Sequence, residues 1–242
     1  MKIIAKTDIG KSRSTNQDSY AAGEFRNGVA WVVVCDGMGG NAGGNVASST
    51  AVKYISERIT GAYRENMSSS SIRNLLLTAI TNANYEIFDL SMAREELQGM
   101  GTTVVAAIIT ETTLFVAHAG DSRAYIISDH SLKQVTRDHS IVQNMVERGE
   151  ITEAEASTHP RKNLITRALG VDENLKVDFT EEDTSPEDIF LFCTDGLTNF
   201  VPDEAIFDLV RKDPNPDLAS KLVAAANQGG GGDNITVVTI AY

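Results

Sequence analysis

Val32-Val33-Val34-Cys35-Asp36-Gly37-Met38-Gly39-Gly40 decides how the rest of the chain is read. Apolar residues run from Trp31 to Cys35, then stop abruptly at an acid followed by glycines. A short apolar run bounded by turn residues predicts a strand buried on both faces. The glycines after it accept backbone torsions that other residues avoid, so the chain can turn sharply. One carboxylate, Asp36, is delivered to the rim of a buried sheet, beside the unshielded carbonyl of Gly37. Hard cations prefer such oxygen ligands. Taken alone, a strand ending in Asp-Gly is most simply a turn, and the metal reading depends on what recurs downstream.

The pattern does recur. Ile189-Phe190-Leu191-Phe192-Cys193 is a second strongly apolar run, and it ends through Thr194 in Asp195-Gly196. Near the C-terminus, Gly229-Gly230-Gly231-Gly232 leads through Asp233-Asn234 into a last strand over Ile235–Tyr242. Asp36 and Asp195 end strands and Asp233 begins one, so the three can meet at one rim of an antiparallel sandwich. Carboxylates that close repel one another unless a cation intervenes. An all-oxygen set fits Mg²⁺ or Mn²⁺. Zn²⁺ is disfavoured, because His118, His130, His139 and His159 lack ligand spacing and neither cysteine belongs to a CxxC pair. Two ions sharing a carboxylate can hold and deprotonate a water, the nucleophile of many phosphate-ester hydrolases. Arg13, in the polar loop 10–18, could then clamp the phosphate bidentately.

Outward from these anchors the hydrophobic period changes in blocks. Residues 2–9 read as a strand, and a short strand near 19–22 follows the polar loop. A helix is expected over 45–64, with Val46, Val52, Ile55 and Ile59 at compatible spacing. Ser68–Ser71 break the chain and supply an N-cap. A second helix follows, whose apolar stripe from Ile72 to Leu97 reads as core packing with no site implied. Beyond Gly99, β-branched runs at 102–110 and 113–119 are joined by Glu111-Thr112, a hairpin. Asp121 sits in the next turn, before strands at 124–128 and 132–136. Residues 137–170 are helical and loop-rich, with a capping box at Thr152–Glu155. A strand at 175–180 precedes an acidic turn, Glu181-Glu182-Asp183, and helices are expected near 202–212 and 215–228. Strands and helices in blocks predict an α+β fold of antiparallel sheets flanked by helices. Without an internal repeat or a linker, residues 1–242 read as one domain.

Composition narrows the function. Of 242 residues 42% are apolar, enough for a substantial core. Lys plus Arg is 21 and Asp plus Glu is 33, so the formal charge is −12. Such a surface repels nucleic acid and anionic membranes. No run approaches the roughly 20 apolar residues of a membrane span, and the N-terminus is not a signal peptide. Cys35 and Cys193, each in an apolar strand, read as reduced buried thiols of a cytoplasmic protein. A monomer is expected.

The resemblance becomes specific when the motifs are taken together. Arg13-Ser14-Thr15-Asn16-Gln17-Asp18, Asp36-Gly37-Met38-Gly39-Gly40, Gly101-Thr102-Thr103, Ala119-Gly120-Asp121-Ser122-Arg123, Asp138-His139-Ser140, Ile165-Thr166-Arg167-Ala168-Leu169-Gly170, Thr194-Asp195-Gly196-Leu197 and Asp233-Asn234-Ile235-Thr236 occur in that order. Together they resemble the metal-dependent, type 2C protein serine/threonine phosphatases in their compact bacterial form. The resemblance implies two antiparallel sheets packed as a sandwich with helices on both outer faces, and a binuclear Mn²⁺ or Mg²⁺ centre at one end. It implies that Asp36 bridges the ions, that the Gly37 carbonyl binds one, and that Asp195 and Asp233 complete the pair. Asp18 would act through water on the metal, Arg13 would hold the substrate phosphate, and Asp121 would serve a third, weaker ion. Residues 137–170 match a mobile flap that shapes substrate choice. Phosphorylated proteins are the implied substrates and a cognate serine/threonine kinase the implied partner. A rival reading is a weakly active pseudophosphatase that binds phosphoproteins.

Two positions depart from the pattern: Asn45 stands where a glutamate is common, and the other bears on catalysis. Relatives continue the Gly-Gly turn with a histidine, the family's proposed general acid, and here position 41 is asparagine. Asparagine cannot deliver a proton and recover it near neutral pH. General acid catalysis contributes about 10²–10⁴-fold where the leaving group needs it. A serine or threonine alkoxide needs it, whereas p-nitrophenolate leaves unaided. Asn41→His should therefore raise kcat for a phosphothreonine peptide more than for p-nitrophenyl phosphate. Equal effects on both substrates, or none, would leave Asn41 as a tolerated substitution in a fully competent enzyme.

Overall fold

The computed structural model describes residues 1–212 and 217–242, without the side chains of residues 40–42 and 212. The Asn41 side chain and the expected start of the last helix at 215 lie outside the described residues.

The chain opens with β1 (Lys2–Asp8), β2 (Asp18–Glu24) and β3 (Ala30–Met38), followed by helices α1 (Gly40–Ala62) and α2 (Ser69–Ala93). Next come β4 (Gly101–Thr102), β5 (Val104–Ile109), β6 (Thr113–Ala119), β7 (Arg123–Ile127) and β8 (Leu132–Gln134). Two short helices, α3 (Ile141–Glu147) and α4 (Glu153–Thr158), precede β9 (Asp178–Asp183) and β10 (Ile189–Cys193). The chain finishes with α5 (Asp195–Thr198), α6 (Asp203–Lys212), α7 (Leu218–Gln228) and β11 (Ile235–Ala241). One sheet has the order β1-β11-β10-β7-β8; the other runs β2-β3-β5-β6-β9, with β4 paired to β3. The ladders are antiparallel.

Side-chain alternation explains why β3 and β10 are apolar without interruption. In β3, Val32 and Val34 face the other sheet and pack with Phe190, Phe192 and Ile240. Val33 and Cys35 face the opposite way, under Ile55 of α1 and Leu76 and Ile80 of α2. Likewise Leu191 and Cys193 of β10 pack with Ile206 of α6 and Leu222 of α7. The result is an α+β sandwich with helices on both outer faces, as the motifs implied.

Three local expectations are corrected. Glu181-Glu182-Asp183 is the end of strand β9, which starts at Asp178 rather than 175. It pairs only with β6, at a sheet edge where one side meets solvent, so charges cost little there and blunt the edge. Leu97 lies beyond α2, in a 3₁₀ turn over Glu95–Leu97, although it remains buried. The first helix begins at Gly40, not Asn45, and takes in Gly43 and Gly44. A Cβ on Gly44 would stand 2.8 Å from the Gly37 carbonyl carbon and oxygen. Gly44 is needed there because helix and strand touch backbone to backbone.

That contact is testable. Gly44→Ala should lower stability by about 1–3 kcal/mol, the usual range for overpacking. At this size each kcal/mol is worth roughly 2–4 °C in Tm. A neutral or stabilising effect in thermal unfolding would mean that α1 stands farther from β3 than described.

Candidate metal centre

An open cavity of about 430 Å³ lies at one end of the sandwich, and its walls include Arg13, Asp36, Gly37, Asp121, Asp195 and Asp233. These residues come from the loop after β1, the end of β3, the turn between β6 and β7, the start of α5 and the approach to β11. Of the expected metal ligands, Asp18 stands back from the walls. It is 8% exposed and sits opposite Asp36 in the β2–β3 ladder.

Each acid is held by neighbours. The Asp36 amide donates to Thr103 Oγ1 (2.9 Å), and its carbonyl accepts from Thr102 Oγ1 (2.8 Å) and the Thr103 amide (2.9 Å). Thr103 Oγ1 also lies 2.7 Å from Ser122 Oγ, which ties the Asp121 turn to the same hub. Gly120, at φ 112°, makes that turn possible. Asp18 Oδ2 accepts from Thr194 Oγ1 (2.9 Å) and Thr236 Oγ1 (2.7 Å), both on the other sheet's side. Asp195 Oδ2 accepts from Asn199 Nδ2 (2.8 Å), and Asp233 Oδ1 from the Asn234 amide (2.8 Å). Asn234 in turn binds the Arg13 loop: its Oδ1 accepts the Gln17 amide (2.8 Å), while its Nδ2 donates to the Ile9 and Thr15 carbonyls, each 3.0 Å away. The roles of Thr103 and Asn234 were not visible beyond their membership of motifs, because their partners are far away in sequence.

One arm of the Arg13 guanidinium is already taken. Its Nη2 donates to Asp233 Oδ2 at 2.8 Å, and its side chain is 51% exposed. The flap histidines do not reach the cavity either. His139 is buried, with Nδ1 accepting the Gly120 amide (3.1 Å), and His159 caps α4.

The electrostatics call for a cation. Burial, reinforced by the neighbouring carboxylates, raises the Asp36 and Asp121 carboxyls well above the ordinary range. Burial also raises Asp195, with Asp233 adding to it. Asp18 is pushed up to about 7, chiefly by burial and against its two threonine donors. The Oδ1 atoms of Asp18 and Asp195 are buried with no hydrogen-bond partner. Unpartnered buried oxygens among mutually repelling acids fit a hard divalent ion. Among the described residues no three His, Cys, Asp or Glu side chains enclose an ion unaided. A hydrated Mg²⁺-like site needs only one or two carboxylates, water and a carbonyl such as that of Gly37.

The protein phosphatase 2C family model matches residues 12–235, and the chain belongs to that family. The serine/threonine phosphatase stp of Listeria monocytogenes serotype 4b (strain F2365) is 38% identical over 239 residues, which cover 97% of this chain and 93% of the relative. The crystal structure of the serine/threonine phosphatase Stp1 from Staphylococcus aureus superposes with a TM-score of 0.94 at 32% identity, over 100% of this chain and 94% of that one. The catalytic domain of the phosphatase PstP, solved with two manganese ions, superposes at 0.85 with 33% identity, over 98% of this chain and 96% of its own.

The raised acids predict how the metal-free protein responds to pH. A carboxyl whose pKa is higher folded than unfolded contributes stability that is complete below the unfolded value and lost as pH rises through the folded one. For Asp18 the window runs from 3.8 to about 7. The contribution of these acids to metal-free stability should therefore fall across that window, and Mn²⁺ at pH 7 should restore it. Asp18→Asn, which keeps an acceptor for both threonines, should flatten the profile. A pH profile of metal-free stability that is the same for Asp18→Asn and the parent, in EDTA by calorimetry, would contradict the raised Asp18 carboxyl.

Proposed function

We propose that the chain is a metal-dependent hydrolase of phosphoserine and phosphothreonine on proteins. The observation that carries the reading is one open cavity walled by Asp36, Asp121, Asp195, Asp233, Gly37 and Arg13, in a chain of the protein phosphatase 2C family. Asp36 would bridge two ions, with Gly37 giving its carbonyl to one and Asp195 and Asp233 completing the pair. Asp121 would hold a third. Mn²⁺ or Mg²⁺, when bound, supplies charge neutralisation and an activated water.

The chain's own residues do the rest. Asp18, hydrogen-bonded between Thr194 and Thr236, fixes the side of the cavity behind Asp36 and would act on a bound ion through water. Arg13 orients the phosphate with the arms of its guanidinium that Asp233 does not occupy. Asn163 and Ile165 from the flap segment form part of the cavity wall and so meet the substrate. Residues 1–242 act as one catalytic unit and as a monomer, in the cytoplasm, against the products of a serine/threonine kinase. Among the described residues no helix is long and apolar enough to cross a membrane. The alternative of a phosphoprotein-binding pseudophosphatase rested on Asn41 alone and finds no support, since the relatives that cover the chain bear phosphatase names.

The test is turnover of a phosphothreonine peptide with Mn²⁺ against EDTA. Asp195→Ala and Asp233→Ala should abolish turnover at micromolar Mn²⁺ while the proteins stay folded. Arg13→Lys, which loses the planar fork, should mainly raise KM, by roughly the 1.5–3 kcal/mol of a charged hydrogen bond. Turnover that survives in EDTA, or both mutants binding two Mn²⁺ as well as the parent, would refute the assignment.

A further inference from the structure

A second opening, of about 290 Å³, adjoins the catalytic cavity, and Met38 and Ile165 belong to the walls of both. The rest of its surface includes Ala168, Val171 and Leu175, with Thr166, Asp172, Asn174 and Lys176 supplying a polar margin beside them. Val171 is 53% exposed. Met38 and Val171 meet over Gly101, where a Cβ would stand 2.9 Å from the Met38 methyl and 2.8 Å from Val171 Cγ2.

The groove is held from behind and open in front. Thr102 and Leu169 exchange backbone hydrogen bonds of 3.1 and 2.8 Å. Asn84, fully buried within the apolar stripe of α2, accepts the Gly170 amide (2.8 Å) and donates to the carbonyls of Asp172 (2.9 Å) and Glu173 (3.1 Å). A buried amide is costly unless its hydrogen bonds are met, and here they are met by the turn that carries Val171. Arg167, on the groove wall, is neutralised by Asp178 Oδ1 at 2.8 Å. The opening on the other side of the catalytic cavity differs. Its walls carry Arg123, Asp138, Lys162, Glu153 and Asp203, and Arg123 and Asp138 already bind each other.

We propose that the Met38–Val171 groove is a subsite for the substrate polypeptide and takes an apolar side chain near the phosphorylated residue. The inference rests on reading the adjoining cavity as the phosphatase site. An extended peptide advances about 3.3 Å per residue and turns alternate side chains to one face. A chain with its phosphorylated residue in the catalytic cavity therefore lays a nearby side chain over the adjoining groove. The wall residues Met38, Ile165, Ala168, Val171 and Leu175 favour an aliphatic one. A rigid, preformed groove favours this further, because little ordering cost is left to meet on binding.

The test uses the full chain with Mn²⁺ and a set of phosphothreonine peptides. One has alanine at every flanking position; the others place a single leucine at successive positions on either side. At least one leucine position should raise kcat/KM about tenfold over the alanine peptide, through KM, as partial burial of a leucine side chain would supply. Val171→Asp should remove that preference and Val171→Leu should keep it. The groove assignment is overturned if no leucine position exceeds the alanine peptide, or if the preference survives Val171→Asp. p-Nitrophenyl phosphate separates the two readings. Its turnover by the parent enzyme without any leucine preference overturns the groove alone. No turnover of it or of any peptide overturns the phosphatase reading and the groove together.

Discussion

Asp18 Oδ2 accepts hydrogen bonds from Thr194 and Thr236 at the place where the two sheets meet. Asp18 belongs to β2, and Thr236 to β11 of the opposite sheet, so one carboxylate oxygen joins the layers at their rim. Burying a carboxylate is tolerable only if its lone pairs are occupied. One oxygen is satisfied by the threonines, and the other is buried without a hydrogen-bond partner. The sandwich therefore brings its sheets together around a group that still lacks a counter-charge. Asp36 is its ladder neighbour, and Asp195 follows Thr194 directly, so the same contact sets the spacing of the acids that line the cavity.

A second layer of polar groups ties this rim together without contributing charge. Thr103 joins the Asp36 backbone to the Asp121 turn, and Asn234 joins the approach to β11 to the Arg13 loop. Each is buried and bonded to backbone or side-chain groups from a different part of the chain. Small polar residues suit this work, because they bring their own hydrogen-bond capacity into positions where the sheet ladders have ended.

The acids were legible because each stands where an apolar run breaks, and a break in period is visible in one dimension. Asp36, Asp195 and Asp233 share that signature, and Asp121 carries it in weaker form within a short turn. The layer order was legible for a related reason: β3 and β10 have no polar face, so both sides had to be covered. Other features depend on contacts between distant segments. Gly43 and Gly44 look like loop residues until α1 is laid against Met100 and β3. Asn84 interrupts an otherwise apolar stripe, and nothing local says that its amide meets the turn at 170–173. Glu181 and Glu182 read as a turn by composition, whereas their place at a sheet edge follows from pairing with β6. The ion pair of Arg13 with Asp233 was likewise hidden, since 220 residues separate them.

Residues 137–170 are rooted close to the Asp121 turn. His139 and Thr166 are joined by a 2.7 Å backbone hydrogen bond, and Ile141 and Leu164 by one of 2.9 Å, so the segment closes on itself at its neck. Burial lowers the His139 pKa to about 4, and the ring is neutral at physiological pH. Its Nδ1 accepts the Gly120 amide, and its Nε2 lies 2.9 Å from Arg167 Nη1 and 3.1 Å from Asp178 Oδ2. The ring also stacks on His118 of β6, with centroids 4.7 Å apart. Below the neck, then, the Asp121 turn is fixed by a packed imidazole; above it, the Arg137–Glu147 pair that ties α3 back to the chain is exposed. Exposed pairs contribute little, so the packed ring and the backbone bonds of the neck, rather than the pair above them, hold the Asp121 turn in place.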